Sequence, residues 1–299
     1  MKSQTAKIVT LKFSIKEHKA SVYALSCDGQ FLYSGSGDRF VTRWNLENGT
    51  QDKFAIRFEH AVFALSLFDD NNKIAVGLEN GHLHFFDLVL RKELKFYVQH
   101  PSGIFAIAEN QHKNHLYTSD ADGNLAVWDT KTNELLLFLP FACGKIRCIS
   151  LNETGELLYL SGQDGYIYVL ETNFFNVLHR FYAHKDGVTA IHLVENKIIS
   201  GGKDAWLRVW NSENYSLVHS VPAHNFAIYD IKSFGKNQIV TASRDKTVKL
   251  WSLDKLEVLQ RISVKEGGHT HSVNKVFVIN EKEFATCSDD KSIRVFATY

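Results

Sequence analysis

Prolines are scarce in this sequence, and no two cysteines form a CxxC pair. Only three prolines stand in 299 residues, and no Pro-rich or Gly/Ser-rich run interrupts the chain, so nothing reads as a linker between domains. Four cysteines occur (Cys27, Cys143, Cys148, Cys287); without a CxxC pair a structural zinc site is not expected, and they read as buried free thiols of a protein in the reducing cytoplasm. No window approaches the roughly 18 apolar residues of a membrane helix, and the opening MKSQTAKIVTLKF lacks a long apolar core. Neither a membrane span nor a signal peptide is therefore expected. Excess charge is missing as well. Lys plus Arg (34) nearly balance Asp plus Glu (33), which argues against wholesale attraction to nucleic acid or membrane while leaving room for a local patch. Finally, no stretch of about twelve residues shows clean helical periodicity.

What is present is a globular composition, 44% apolar, in a chain long enough for two ordinary domains with sizeable cores. A recurring stretch overrides that division. SGGKDAWLRVWN (200–211) has counterparts in SGSGDRFVTRWN (34–45), TSDADGNLAVWD (118–129), TASRDKTVKLWS (241–252) and TCSDDKSIRVFA (286–297). VGLENGHLHFFD (76–87) and LSGQDGYIYVLE (160–171) are weaker copies. The turn position of each copy falls at 38, 80, 122, 164, 204, 245 and 290, an Asp in every case but Asn80. Seven units at a period near 42 tile residues 18 to 299, so residues 1–299 read as one repeat domain. Apolar, β-branched and aromatic residues bounded by Asp-Gly, Asn and Ser make each unit a set of short strands, four by spacing.

These residues resemble the WD-repeat family, whose units end in Trp-Asp and build β-propellers. The resemblance covers essentially the whole chain, although Trp128-Asp129 is the sole Trp-Asp and the family's opening Gly-His survives only as Gly268-His269. It implies an all-β, seven-bladed propeller of four-stranded antiparallel blades. The last unit ends at FATY, after its third strand, so residues 7–13 (KIVTLKF) are expected to close the ring as the outer strand of the last blade.

Ser, His and Asp are also the side chains of a hydrolase triad, but a triad is needed once per active site. Here the set recurs in five units: His18, Ser34 and Asp38; His100, Thr118 and Asp122; His184, Ser200 and Asp204; His224, Thr241 and Asp245; His269, Thr286 and Asp290. Four add Trp44, Trp128, Trp210 or Trp251, and the fifth has Phe296. Indole N–H to hydroxyl, hydroxyl to imidazole and imidazole to carboxylate would form a relay that satisfies buried polar atoms. The reading is structural, with no catalytic residue, metal or cofactor. The second unit (Val76, Asn80, Phe86, with His60 two residues out of register) and the fourth (Ala142, Leu160, Leu170) have lost the set together, as a half-satisfied network would favour. Asp164 is kept in the fourth, where it can bond turn amides.

The resemblance further implies that three positions per blade face the central channel: one on each side of the first apolar residue of the inner strand, and one just before the turn aspartate. They hold Tyr23, Phe63 and Phe105 on the first three blades and Tyr229 on the sixth, with Lys145, Arg147, Lys203 and Arg244 on the fourth to sixth, so an aromatic sector should adjoin a basic one. Glu79 and Asp289 are acidic exceptions; Asn274 and Gln163 are neutral. The rings are expected to be substantially exposed, with Val22, Val62, Ile104, Ile146 and Ile228 packed inward. Exposed aromatics beside arginine are the composition of interface hot spots. The expected function is a non-enzymatic interaction scaffold for a protein or peptide with apolar anchors and acidic or phosphorylated groups, acting as a monomer or within a hetero-complex. A cation held between the rings is conceivable on the aromatic side alone. The rival reading is a nucleic-acid-binding adaptor using the basic sector; an enzyme finds no remaining polar cluster. Trp206, outside the tetrads, is expected to be partly buried between blades.

Overall fold

A computed structural model describes residues 8–298. Within them, twenty-eight strands form seven four-stranded sheets, each antiparallel throughout. Two short 3-10 turns, Gln111–Lys113 and Val264–Glu266, are the only helical elements among the described residues. The inner strands are Val22–Cys27, Val62–Phe68, Ile104–Asn110, Ile149–Leu151, Val188–Val194, Ile228–Ser233 and Val273–Asn280. Each sheet packs on the next, and seven apolar clusters lie between neighbouring blades. One of them joins Ile293 and Val295 of blade 7 to Val22 and Trp44 of blade 1. The result is a closed seven-bladed propeller.

Closure is by the N-terminal strand. Val9–Ile15 pairs antiparallel with Ile293–Thr298 as the outer strand of blade 7, from Val9 opposite Thr298 to Ile15 opposite Ile293. The strand runs two residues past the expected 7–13 because Ile15 is buried in the cluster between blades 7 and 1. Lys7 lies outside the described residues. Gln260, on the outer strand of blade 6, clamps this segment: its Oε1 accepts from the Ile8 and Val9 amides at 2.8 and 2.9 Å, and its Nε2 donates to the Val9 carbonyl.

Close approach of blades decides some residue types. A Cβ on Gly35, Gly77 or Gly201 would lie 2.4–2.7 Å from Val62, Ile104 or Ile228, the first inner-strand residue of the following blade. Those three side chains, with Val22 and Ile146, are fully buried, as the alternation of the sequence requires. The inner strands also share one irregularity. In six blades the register shifts just after the first apolar residue, leaving Tyr23, Phe63, Phe105, Thr189, Tyr229 and Asn274 as the unpaired residue of a β-bulge. A bulge adds a residue without a partner and re-aims its side chain.

Candidate functional site

The relay is built in four blades by the residues the spacing indicates. In blade 1, Trp44 Nε1 donates to Ser34 Oγ (2.7 Å), Ser34 Oγ lies 2.8 Å from His18 Nε2, and His18 Nδ1 lies 2.8 Å from Asp38. Blades 5 and 6 repeat it with Trp210, Ser200, His184 and Asp204, and with Trp251, Thr241, His224 and Asp245. Blade 7 does so without the indole. Burial, the largest single influence, would push the Asp38 and Asp204 carboxyls up, but the histidine hydrogen bond and charge, backbone amides and, for Asp204, Arg208 together outweigh it and draw both down to about 2. Burial holds the His184, His224 and His269 imidazoles below the ordinary 6.5, against the pull of their carboxylates.

Blade 3 departs from expectation. His100 Nδ1 bonds Asp120 Oδ2 at 2.8 Å, and Asp122 is exposed. The position of Asp120 holds Ser36, Ser243 or Ser288 elsewhere, where the hydroxyl accepts the amide of the turn aspartate. Asp120 combines both duties, taking the Asp122 amide on Oδ1 and the imidazole on Oδ2, with Asn124 donating to each oxygen. In blade 2, Phe58 occupies the histidine's place and packs edge-on against Phe86. Asp164 of blade 4 accepts the Tyr166 amide and the Tyr168 hydroxyl. Trp206 is partly buried, 36% exposed at the start of its strand, with the guanidinium of Arg208 5.4 Å over its ring while that side chain donates to Asp204.

With the relays assigned, the eight candidate residues come together around two adjoining cavities. Tyr23 and Phe63 meet edge to face at 5.2 Å, and Phe63 meets Phe105 at 5.2 Å. Arg147 then lies between two rings, its guanidinium 5.2 Å from Phe105 and 4.9 Å from Tyr229. Lys145 Nζ stands 4.2 Å over Phe105. The rings are therefore half-buried, less open than expected, because they pack on one another and on Arg147. Two cavities share the Arg147–Tyr229 wall. One, of about 280 Å³, is bordered by Lys145, Lys203 and Arg244; the other, of about 250 Å³, by Tyr23, Phe63, Phe105, Asn274 and Asp289.

The irregular start of blade 4 positions two of the cations. Its inner strand begins only at Ile149, and the amides of Arg147 and Cys148 both bond Ser161 Oγ instead of a strand partner. Burial pulls the Lys145 ammonium below its usual range, and Arg147 and Lys203 add to the effect. Burial likewise lowers Arg147. Sequence reasoning missed Lys275 and Phe226. Lys275 pairs with buried Asp230 at 3.7 Å, and Phe226 lies under Arg244 at 5.8 Å. The signal for Lys275 was legible one position after each bulge, where the blades read Ala24, Ala64, Ala106, Cys148, Ala190, Asp230 and Lys275. Among the described residues all four cysteines are free, and no group of three or more His, Cys, Asp or Glu is placed to hold a metal ion.

A family model described as "WD domain, G-beta repeat" matches residues 9–45, 91–129, 175–211, 215–252 and 260–296, well over half of the chain. The intervals it leaves out contain the three inner strands of blades 2 and 4, the two blades without a histidine relay. The F-box/WD repeat-containing protein sel-10 of Caenorhabditis elegans is 29% identical over 85 residues, 28% of this chain and 14% of its own length. The nuclear distribution protein nudF of Aspergillus niger is 28% identical over 125 residues, covering 40% and 28% of the two chains. The ribosome biogenesis protein YTM1 of Coccidioides immitis is 28% identical over 117 residues, covering 36% and 25%. The matches thus span less than a third of these relatives' length.

Proposed function

The chain belongs to the WD domain, G-beta repeat family, and from that membership we propose that it is a non-enzymatic interaction scaffold whose peptide-binding face is the channel mouth lined by Tyr23, Phe63, Phe105, Lys145, Arg147, Lys203, Tyr229 and Arg244. The observation that carries the reading is convergence. Six blades each bring at least one of these residues to the two adjoining cavities, four of them (Tyr23, Phe63, Phe105 and Tyr229) from inner-strand bulges and the others from the irregular start of blade 4 and from the turns before Asp204 and Asp245. The ligand is an extended protein segment with an apolar anchor for the aromatic side and an acidic or phosphorylated group for the basic side. A rigid ring displays such a face with little change of shape on binding. The relatives' names (nuclear distribution, ribosome biogenesis, an F-box protein) point to no single process, so the reading stops at the class of ligand.

Panning a random peptide library against the chain tests this. Enriched peptides should lose binding with Tyr23→Ala and with Arg147→Gln, at a nearly unchanged melting temperature, while Lys131→Ala on the outer rim leaves binding intact. Peptides that bind equally to all three variants would place the face elsewhere.

A further inference from the structure

Among the described residues, none of Lys145, Arg147, Lys203 and Arg244 has a carboxylate within ion-pair distance. All four nevertheless border one cavity of about 280 Å³. The acidic groups nearby are already engaged. Asp230 accepts the Ile231 and Val276 amides and faces Lys275, and Asp289 accepts from Asn274, which also bonds the Val22 carbonyl across the ring seam. Like charges held together at the expense of solvation are costly unless something offsets them. Here the cluster is retained by position: Arg147 is clasped between Phe105 and Tyr229, and Lys145 stands over Phe105. That clasp also fills the space between Phe105 and Tyr229 that a ligand cation would otherwise take.

Building on the scaffold reading, we propose that the cavity between Lys145, Arg147, Lys203 and Arg244 is a receptor for the phosphate monoester of a phosphorylated peptide side chain, with the aromatic cavity next to it taking a neighbouring apolar residue. A phosphate monoester brings close to two negative charges and three acceptor oxygens to one point, against one charge for a carboxylate. Four cations around a single well match that concentration. A nucleic-acid backbone fits less well: it spreads one charge per phosphate along a track and calls for a basic groove. Beyond Arg147 the adjoining cavity turns aromatic and then acidic at Asp289. An anion in the well would also relieve the mutual repulsion of Lys145, Arg147 and Lys203.

The test uses fluorescently labelled degenerate peptide pools fixed at one central residue: phosphothreonine, threonine or glutamate. The phosphothreonine pool should bind at least tenfold more tightly than either other pool. Inorganic phosphate should compete with it, and sodium chloride at the same ionic strength should not. Lys203→Glu combined with Arg244→Glu should abolish the preference while leaving the melting temperature unchanged, since both side chains are exposed. If the three pools bind alike, and all lose binding with Tyr23→Ala, the phosphate receptor is refuted and the scaffold survives. A phosphothreonine preference that persists in the double variant places the receptor elsewhere and overturns the inference. So does a single-stranded oligonucleotide that outcompetes the phosphothreonine pool with a steep salt dependence.

Discussion

His100 is held by Asp120 and not by Asp122, although Asp122 occupies the position that serves this purpose in blades 1, 5, 6 and 7. The relay has moved two residues along the chain while its hydrogen bond has kept the same length. Asp120→Ala should then destabilise by about 1–3 kcal/mol, since it leaves a buried imidazole and the Asn124 donors unpaired. Asp122→Ala should cost less than about 0.5 kcal/mol, as an exposed substitution does. Urea unfolding of the two variants decides the point, and equal losses would refute the assignment.

The residue after each turn aspartate, or after Asn80 in blade 2, adopts positive φ in every blade. It is glycine in Gly81, Gly123 and Gly165, with φ of 87°, 89° and 93°, but Arg39, Ala205, Lys246 and Lys291 elsewhere, with φ of 74°, 65°, 72° and 67°. The side-chain-bearing residues retreat to smaller angles because a Cβ near 90° would strike a backbone carbonyl, as one on Gly123 would meet Phe141 at 2.5 Å. Ala205→Gly should stabilise by roughly 0.5–1 kcal/mol, relief of strain exceeding the added chain entropy. Gly123→Ala should destabilise by more. Thermal unfolding of both reads the sign directly.

Stability should fall in two stages as pH drops. His184, His224 and His269 have pKa values below the ordinary 6.5 when folded. Below that pH the unfolded chain takes up protons that the folded chain refuses, so their contribution is complete above 6.5 and declines as pH falls. Asp38 and Asp204, at about 2 when folded, contribute fully above about 4 and are lost as pH falls toward 2. Denaturation midpoints measured from pH 8 to pH 2 should show both limbs. A flat profile between pH 6.5 and 4 would contradict the buried neutral histidines.

Gln260→Ala should loosen the closing strand, because three hydrogen bonds to Ile8 and Val9 depend on that one side chain. Hydrogen exchange should rise across Val9–Ile15 while the inner strands of blades 5 and 6 stay protected. Unchanged exchange at Val9 would show that pairing with Ile293–Thr298 alone holds the strand.

Much of this architecture was legible because its determinants are local and periodic. The His, hydroxyl, Asp and Trp offsets encode the blades, and the strand-like KIVTLKF ahead of the first repeat pointed to the closure. The Asp120 substitution was not legible, since a Ser-to-Asp exchange at the turn takes over the relay without altering the period. Ring exposure was misjudged for another reason. Tyr23, Phe63, Phe105 and Arg147 lie about forty residues apart, and only the closing of the circle brings their side chains against one another.

The pairing of Val9 with Thr298 imposes an order on the making of the molecule. Blades 1 to 6 each draw on one contiguous run of chain, so their contacts are short in sequence and can form as soon as that run is available. Blade 7 draws on both ends. A strand made at the start must wait, unpaired, until residues 293–298 have been synthesised. Through that interval the exposed partners are Val9 and Ile15 on one side and the blade 1 face at Val22 and Trp44 on the other. Closing the circle therefore leaves these apolar faces uncovered for longer than any other strand pairing in the ring.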